Sequence, residues 1–330
     1  MDVAVDWRWM RNDGIGRFAK ETVSRLSLDV SPVHPPVSLF NPIEQLWTSY
    51  KLSTLRPTLY FTPGINPPLF SSVPFVFVIH DLIPLRFSEE TSVQKKVYYR
   101  TVLRLAVQRA RWILTVSEFS KQKIVRWADV DPEQIRVVGN GVKSRFRPDG
   151  PAYNPGSPYL LYVGNTRPHK NVGAAIEGFA RSGIADDVRL ILSGTPDSQL
   201  KAVIREHGVE NRVEFAHFIP ERDLPAYYRG ATALVHPSLY EGFGLTVLEA
   251  LACGTPVVAS NATAIPEVTG DAALLFDPTD VEEIAASIRR VVRDSSLQHE
   301  LRGRGIERAR QFSWEQVAHR TEEALHAAVG

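Results

Sequence analysis

Two carboxylates, Glu241 and Glu249, flank a glycine-rich turn in the stretch Tyr240-Glu241-Gly242-Phe243-Gly244-Leu245-Thr246-Val247-Leu248-Glu249-Ala250. A carboxylate accepts hydrogen bonds from hydroxyl groups, and two of them at different depths of one wall can hold different hydroxyls of an extended ligand. Gly242 and Gly244 carry no side chains, so a ligand can approach the backbone N–H groups at a helix start. The partial positive charge there favours anionic or hydroxyl-rich groups. Such a stretch suits the handling of a sugar and a nucleotide together. Taken singly, the two glutamates also fit a solvated loop acid and a surface helix acid.

The elements that must position them are legible on either side. Ala231 to Val235 is a short, β-leaning run stopped by His236-Pro237-Ser238, the turn follows, and a helix is expected from Leu245 to Cys253. Three further places carry chemistry. Asn12-Asp13-Gly14-Ile15-Gly16 follows the first strand and precedes a helical stretch, a glycine turn that exposes amides or simply links strand to helix. Val78-Ile79-His80-Asp81-Leu82-Ile83-Pro84 puts an imidazole at the carboxyl end of a strand, where α/β ligand sites form. Gly164-Asn165-Thr166-Arg167-Pro168-His169-Lys170-Asn171 is a strand-to-helix turn with fixed cations, the usual electrostatic answer to a departing diphosphate. Asp129-Val130-Asp131 imitates a D-x-D metal motif but sits between a helix and a strand and reads as turn chemistry. No metal site is expected.

Short apolar runs at Val3–Val5, Thr58–Phe61, Phe75–Ile79, Ile113–Val116 and Ile135–Val138 alternate with helix-patterned stretches. A Gly/Pro-rich passage from Gly139 to Pro158 intervenes. A second series then runs through Tyr159–Val163, Val188–Leu192, Arg212–Phe215, Ala231–Val235, Pro256–Ala259 and Ala273–Phe276. The pattern is α/β: two doubly wound, Rossmann-like domains, residues 1–150 and 151–312, facing each other across a cleft. Ser313, with Gln316 three residues on, opens a terminal helix over 313–330 with a capping box. With 330 residues and 44% apolar content the chain can fill two cores. Lys plus Arg number 38 and Asp plus Glu 37, a net charge of +1, which gives no basic field for a nucleic-acid partner. The single Cys253 excludes an internal disulfide and fits a reducing, cytoplasmic compartment. The amino terminus lacks the features of a signal peptide, and no apolar run approaches the length of a bilayer span.

The string from Glu241 to Ala250, with its tail Cys253-Gly254-Thr255-Pro256-Val257-Val258, resembles the E-x7-E signature of retaining GT-B glycosyltransferases of family 4, and the likeness extends in order over most of the chain. The resemblance implies a metal-independent transfer of a hexose from a nucleotide sugar, with no cofactor. It implies that Glu249 holds the ribose hydroxyls, that Glu241 with the amides of Gly242, Phe243 and Gly244 holds the sugar, and that Leu245 also lies at the donor. Lys170 would meet the diphosphate. Its companion cation stays open, because His169 stands where many members have Arg; Arg167 is preferred. By the same likeness Gly14 and Gly16 contact phosphate or acceptor, Gly164, Gly194 and Ile219 lie against the nucleotide, and His80 contacts the transferred sugar. The terminal helix would cross back to the first domain.

The turn around Lys170 and the short first domain look most like bacterial mannosyltransferases of surface polysaccharide assembly. GDP-mannose is therefore the first expected donor and UDP-glucose or another UDP-hexose the second, with a saccharide or lipid-linked saccharide as acceptor. A retaining glycosidase also uses two carboxylates, but the glycine-rich helix start and the cations favour a phosphate-bearing donor. A nucleotide-sugar epimerase and a non-catalytic nucleotide-sugar-binding protein of the same fold remain as alternatives. For the acceptor, Ser31 to Pro68 with Trp7, Trp9 and Trp47 offers a sugar-stacking surface or ordinary packing. Val93 to Trp112 carries Lys95, Lys96, Arg100, Arg104, Arg109 and Arg111, read either as a solvated basic face or as a helix that lies peripherally on an anionic membrane.

Overall fold

A strand buried on both faces must be apolar along its whole length, and the runs of Val, Leu, Ile and aromatic residues meet that demand. A computed structural model describes residues 1–36, 39–41, 43–87, 89 and 91–330. The chain divides into two units, Met1–Gly141 with Ser313–Gly330, and Val142–Phe312.

In the first unit six strands, β1 (Asp2–Asp6), β2 (Asp29–Val33), β3 (Leu59–Thr62), β4 (Phe75–Val78), β5 (Trp112–Thr115) and β6 (Ile135–Val137), form one sheet in the order β2-β1-β3-β4-β5-β6. All neighbours are parallel, with Val3 opposite Val30 on one side and Leu59 on the other. β3 and β4 are wholly buried. The helix Gly14–Val23 packs against the terminal helix Trp314–Ala327, with the Phe18 and Trp314 ring centroids 6.4 Å apart. Ser313 caps the terminal helix by accepting from the Gln316 amide.

The second unit holds β7 (Tyr159–Tyr162), β8 (Arg189–Leu192), β9 (Val213–Phe215), β10 (Ala233–His236), β11 (Val257–Ser260) and β12 (Leu274–Phe276) in the order β12-β11-β10-β7-β8-β9. It too is parallel throughout. The order reverses between β7 and β10. At such a reversal the connections leave on opposite faces of the sheet, so a crevice opens at the carboxyl ends of those two strands.

Three details differ from the sequence reading. β2 runs into the stretch Ser31 to Pro68 read as an acceptor surface: Pro32 is tolerated because β2 is an edge strand, with no neighbour on its outer side needing the missing N–H. The same stretch also holds the helix Ile43–Leu55 and β3, while Val37, Ser38 and Pro42 within it lie outside the described residues. Trp9 is buried and Trp47 packs on the first core, so packing wins for both, whereas Trp7 is exposed and tilted against His34. Third, the basic helix is shorter than expected. It runs over Val93–Val107 with a π turn at Tyr99–Leu103, and Trp112 begins β5. Arg109 lies beyond the helix, over the Phe70 ring and donating to the Leu69 carbonyl, and Arg111 lies over Trp112.

Candidate functional site

The reversal between β7 and β10 brings two distant turns together. After β7 the chain passes through Gly164 and a short 3-10 turn, Pro168–Lys170, closed by Asn171 at a φ of 56°. The Asn171 amide group donates to the carbonyls of Pro237 (3.2 Å) and Pro278 (2.7 Å), which ties this turn to the one that follows β10. The Leu239 amide adds a bond to the His169 carbonyl at 2.8 Å. Lys170 and Glu241 therefore meet, with Nζ 2.6 Å from Oε1.

Glu241 is buried, and its Oε1 is approached a second time by His236 Nε2 at 3.1 Å, with the ring outside hydrogen-bond alignment. Burial would raise the Glu241 pKa, but the Lys170 ammonium and then His236 outweigh it and hold the carboxyl well below its ordinary value of 4.5. Glu241 is an anion. Arg167, by contrast, is exposed, and its guanidinium forms no ion pair among the described residues. His169 is buried in the turn.

The helix that follows, Leu245–Ala252, starts from Gly244 at a φ of 111°, a left-handed conformation open to glycine. Among the described residues no side chain caps this start, whereas Asp197, Asp280 and Ser313 cap theirs. A Cβ at Gly244 would stand 2.7 Å from Ile265 Cδ1. Gly242 and Phe243 are buried, and Phe243 packs edge-on to Phe312. Leu245 is half-buried. Glu249 is buried at 2% exposure, far from the surface-acid reading, and Tyr228 Oη donates to its Oε2 at 3.0 Å.

The remaining expected residues serve the backbone. The Gly164 amide donates to Ser193 Oγ at 2.8 Å and the Gly194 amide to the His217 carbonyl at 2.7 Å, knitting the turns after β7, β8 and β9. Ile219 is buried while Phe218 before it is exposed. In the first unit Gly14 starts its helix in an exposed position. The Gly16 amide is taken by Asp13 Oδ1 at 2.8 Å, and a Cβ there would lie 2.2 Å from the Arg11 carbonyl oxygen. Gly16 is thus demanded by packing. His80, just past β4, is buried; its Nε2 bonds the Pro63 carbonyl at 3.0 Å and its ring meets Phe18 edge-on at 5.0 Å. Burial lowers its pKa below 6.5 against the opposing pull of Pro63 and of the Asp81 and Asp13 charges. Asp129 closes a helix in the left-handed conformation and Asp131 caps the next turn through the Glu133 amide, the turn chemistry expected of them.

Sequence reasoning missed four contributors. His236 ends a strand as His80 does, and the same rule would have found it. Asn171, Tyr228 and Thr263, whose Oγ1 accepts from the Glu241 amide at 3.0 Å, act through contacts with no local signal. A groove of about 930 Å³ lined by Phe70, Arg109, Arg111 and Val329 lies at the amino ends of β4 and β5, the edge opposite His80, and holds none of the residues expected at the donor site. Among the described residues no helix is long and apolar enough to cross a membrane.

The family described as Glycosyl transferases group 1 matches residues 145–312, and Glycosyltransferase Family 4 matches residues 18–146. O-antigen chain mannosyltransferase B of Escherichia coli is 33% identical over 297 residues, 86% of this chain and 77% of that protein. O-antigen chain mannosyltransferase RfbU of Salmonella typhimurium is 33% identical over 217 residues, 64% of this chain and 59% of that protein. Among solved structures, Anabaena HepE in complex with UDP and glucose superposes with a TM-score of 0.79 at 20% identity, covering 99% of both chains. The fold is that of the GT-B enzymes, two parallel six-stranded α/β sheets, and the chain belongs to the glycosyl transferases group 1, within glycosyltransferase family 4.

Proposed function

We propose that the chain is a retaining, metal-independent mannosyltransferase that uses GDP-mannose and extends a saccharide or lipid-linked oligosaccharide in cell-surface polysaccharide assembly. The observation that carries this reading is the Lys170–Glu241 pair at the strand-order reversal, beside a helix start that no described side chain caps. The E. coli and Salmonella relatives support mannose.

In this reading Lys170 and Arg167 neutralise the diphosphate, Glu241 with the Gly242–Leu245 amides takes the sugar hydroxyls, and Glu249 takes the ribose. Gly14, Gly164, Gly194 and Ile219 lend backbone surface, and His80 is assigned to the transfer step. The acceptor oxygen forms a bond to the anomeric carbon as the bond from that carbon to the phosphate oxygen breaks. The acceptor proton passes to the departing phosphate, leaving a glycoside and a nucleoside diphosphate.

The test is thermal stabilisation in EDTA by GDP-mannose, UDP-glucose, GDP and UDP, since a ligand bound only by the folded state raises its stability. A response to the guanosine pair is expected. A uridine response replaces the donor, and no response to any of them overturns transfer from these donors and revives the non-catalytic reading.

A second reading concerns the partner surface. Val93, Val97 and Leu105 are exposed on the helix that carries Lys96, Arg100 and Arg104, an apolar and basic face suited to peripheral contact with an anionic membrane. Replacing the three basic residues should abolish binding to anionic vesicles; unchanged binding contradicts the reading.

A further inference from the structure

Thr263 follows β11 in the loop Asn261–Ala264 and has a φ of 59°. A β-branched residue in this region is a genuine outlier, because its Cβ substituents crowd the backbone, and such strain persists only where the surroundings compel it. Glycine would take the same φ without strain. What threonine adds is a hydroxyl, and its Oγ1 accepts from the Glu241 amide at 3.0 Å across 22 residues of sequence.

The helix after this loop meets the other end of the turn. Ile265, the first residue of the next helix, comes so close to Gly244 that a Cβ there would lie 2.7 Å from its Cδ1. Glu241 and Gly244 are the two ends of the glycine-rich turn, so the loop after β11 fixes one by a hydrogen bond and the helix that follows the loop meets the other by contact. With its backbone at this place, Glu241 reaches Lys170 and His236.

We infer that Thr263 is a positioning residue for the transfer site: its strained backbone presents a hydroxyl that holds the Glu241 amide, and thereby sets the carboxylate against Lys170 and the sugar of the donor. This rests on the reading of Glu241 as the sugar-binding acid. Thr263 touches no reacting atom; it acts through Glu241. A hydroxyl is the requirement, so serine suffices, whereas valine keeps the shape and glycine relieves the strain without supplying the bond.

The experiment compares wild type with Thr263→Ser, Thr263→Val and Thr263→Gly in two measurements. The first needs no ligand: hydrogen exchange of the segment 240–246. Exchange should quicken at least tenfold in the Val and Gly variants, because the Glu241 amide loses its acceptor, and stay near wild type in Ser. The second is titration with GDP-mannose and UDP-glucose against GDP and UDP. The preference for sugar nucleotide over free nucleotide should fall about tenfold in Val and Gly, with free-nucleotide affinity held within about twofold, and Ser should restore it.

Unchanged exchange in Thr263→Val overturns the inference whatever the ligand data show. So does a parallel loss of free-nucleotide affinity, which would mark a general disturbance, or an unaltered preference. A wild type that binds none of the four ligands sinks the donor reading itself, and the exchange result then still decides whether Thr263 holds Glu241.

Discussion

Lys170 Nζ lies 2.6 Å from Glu241 Oε1, a contact made across 71 residues of sequence. Both side chains are largely withdrawn from solvent, with 17% and 11% exposure. In such surroundings the pair is less screened than a surface salt bridge. A double-mutant cycle with Lys170→Met and Glu241→Gln, read by urea denaturation, should give a coupling of about 1–3 kcal/mol. Additive losses would mean that the two groups do not act on one another.

Tyr228 and Glu249 form the second buried contact of the site. Tyr228→Phe removes one donor from a buried carboxylate and should cost about 1–3 kcal/mol of stability. It should also weaken nucleotide affinity, because Glu249 is the acid assigned to the ribose. Calorimetric titration with GDP checks this, and stability loss with unchanged affinity would separate Glu249 from the ligand.

How much of this was legible beforehand follows from the range of the interactions. Eleven of the strand runs needed only local patterning, and the stop at His236-Pro237-Ser238 with the glycines after it predicted the turn and the helix. β2 escaped because Pro32 argues against a strand unless the strand is at the edge, and edge position is a property of the finished sheet. Glu249 looked like a surface acid because nothing near it in sequence announces Tyr228. Gly16 shows another limit: a glycine that opens a turn for a ligand and one that makes room for the Arg11 carbonyl look identical in sequence.

The pH dependence of stability follows from His80 and Glu241. His80 has a lowered pKa in the fold, so as pH falls below about 6.5 the unfolded chain takes a proton that the folded chain refuses, and stability drops. Glu241 also has a lowered pKa, and its contribution, complete above 4.5, is lost progressively as pH falls further. Thermal midpoints should therefore decline between pH 6.5 and 5 in wild type and decline less in His80→Gln. An identical slope in both would remove His80 as the cause.

Cys253 is fully buried, and burial pushes its thiol pKa up to about 12, so it should be inert toward thiol reagents in the folded protein. Labelling by an aromatic disulfide reagent should proceed at the rate of unfolding and rise with urea in step with it. Rapid labelling under native conditions would contradict the packing of the helix that carries Glu249.

His80→Ala should leave donor affinity within about twofold and lower turnover by about tenfold to a thousandfold, since its assignment is to the transfer step. An equal loss of donor affinity would contradict that division from Lys170.

The most direct measurement is the affinity of the purified protein for GDP-mannose and for GDP, in EDTA, with Lys170→Ala and Glu241→Gln alongside. Lys170→Ala should weaken both ligands by about tenfold or more, because it removes one of the two cations assigned to the diphosphate, and Glu241→Gln should weaken GDP-mannose while sparing GDP. Undiminished binding of both ligands in both variants would show that the nucleotide sugar is held somewhere other than at the Lys170–Glu241 pair.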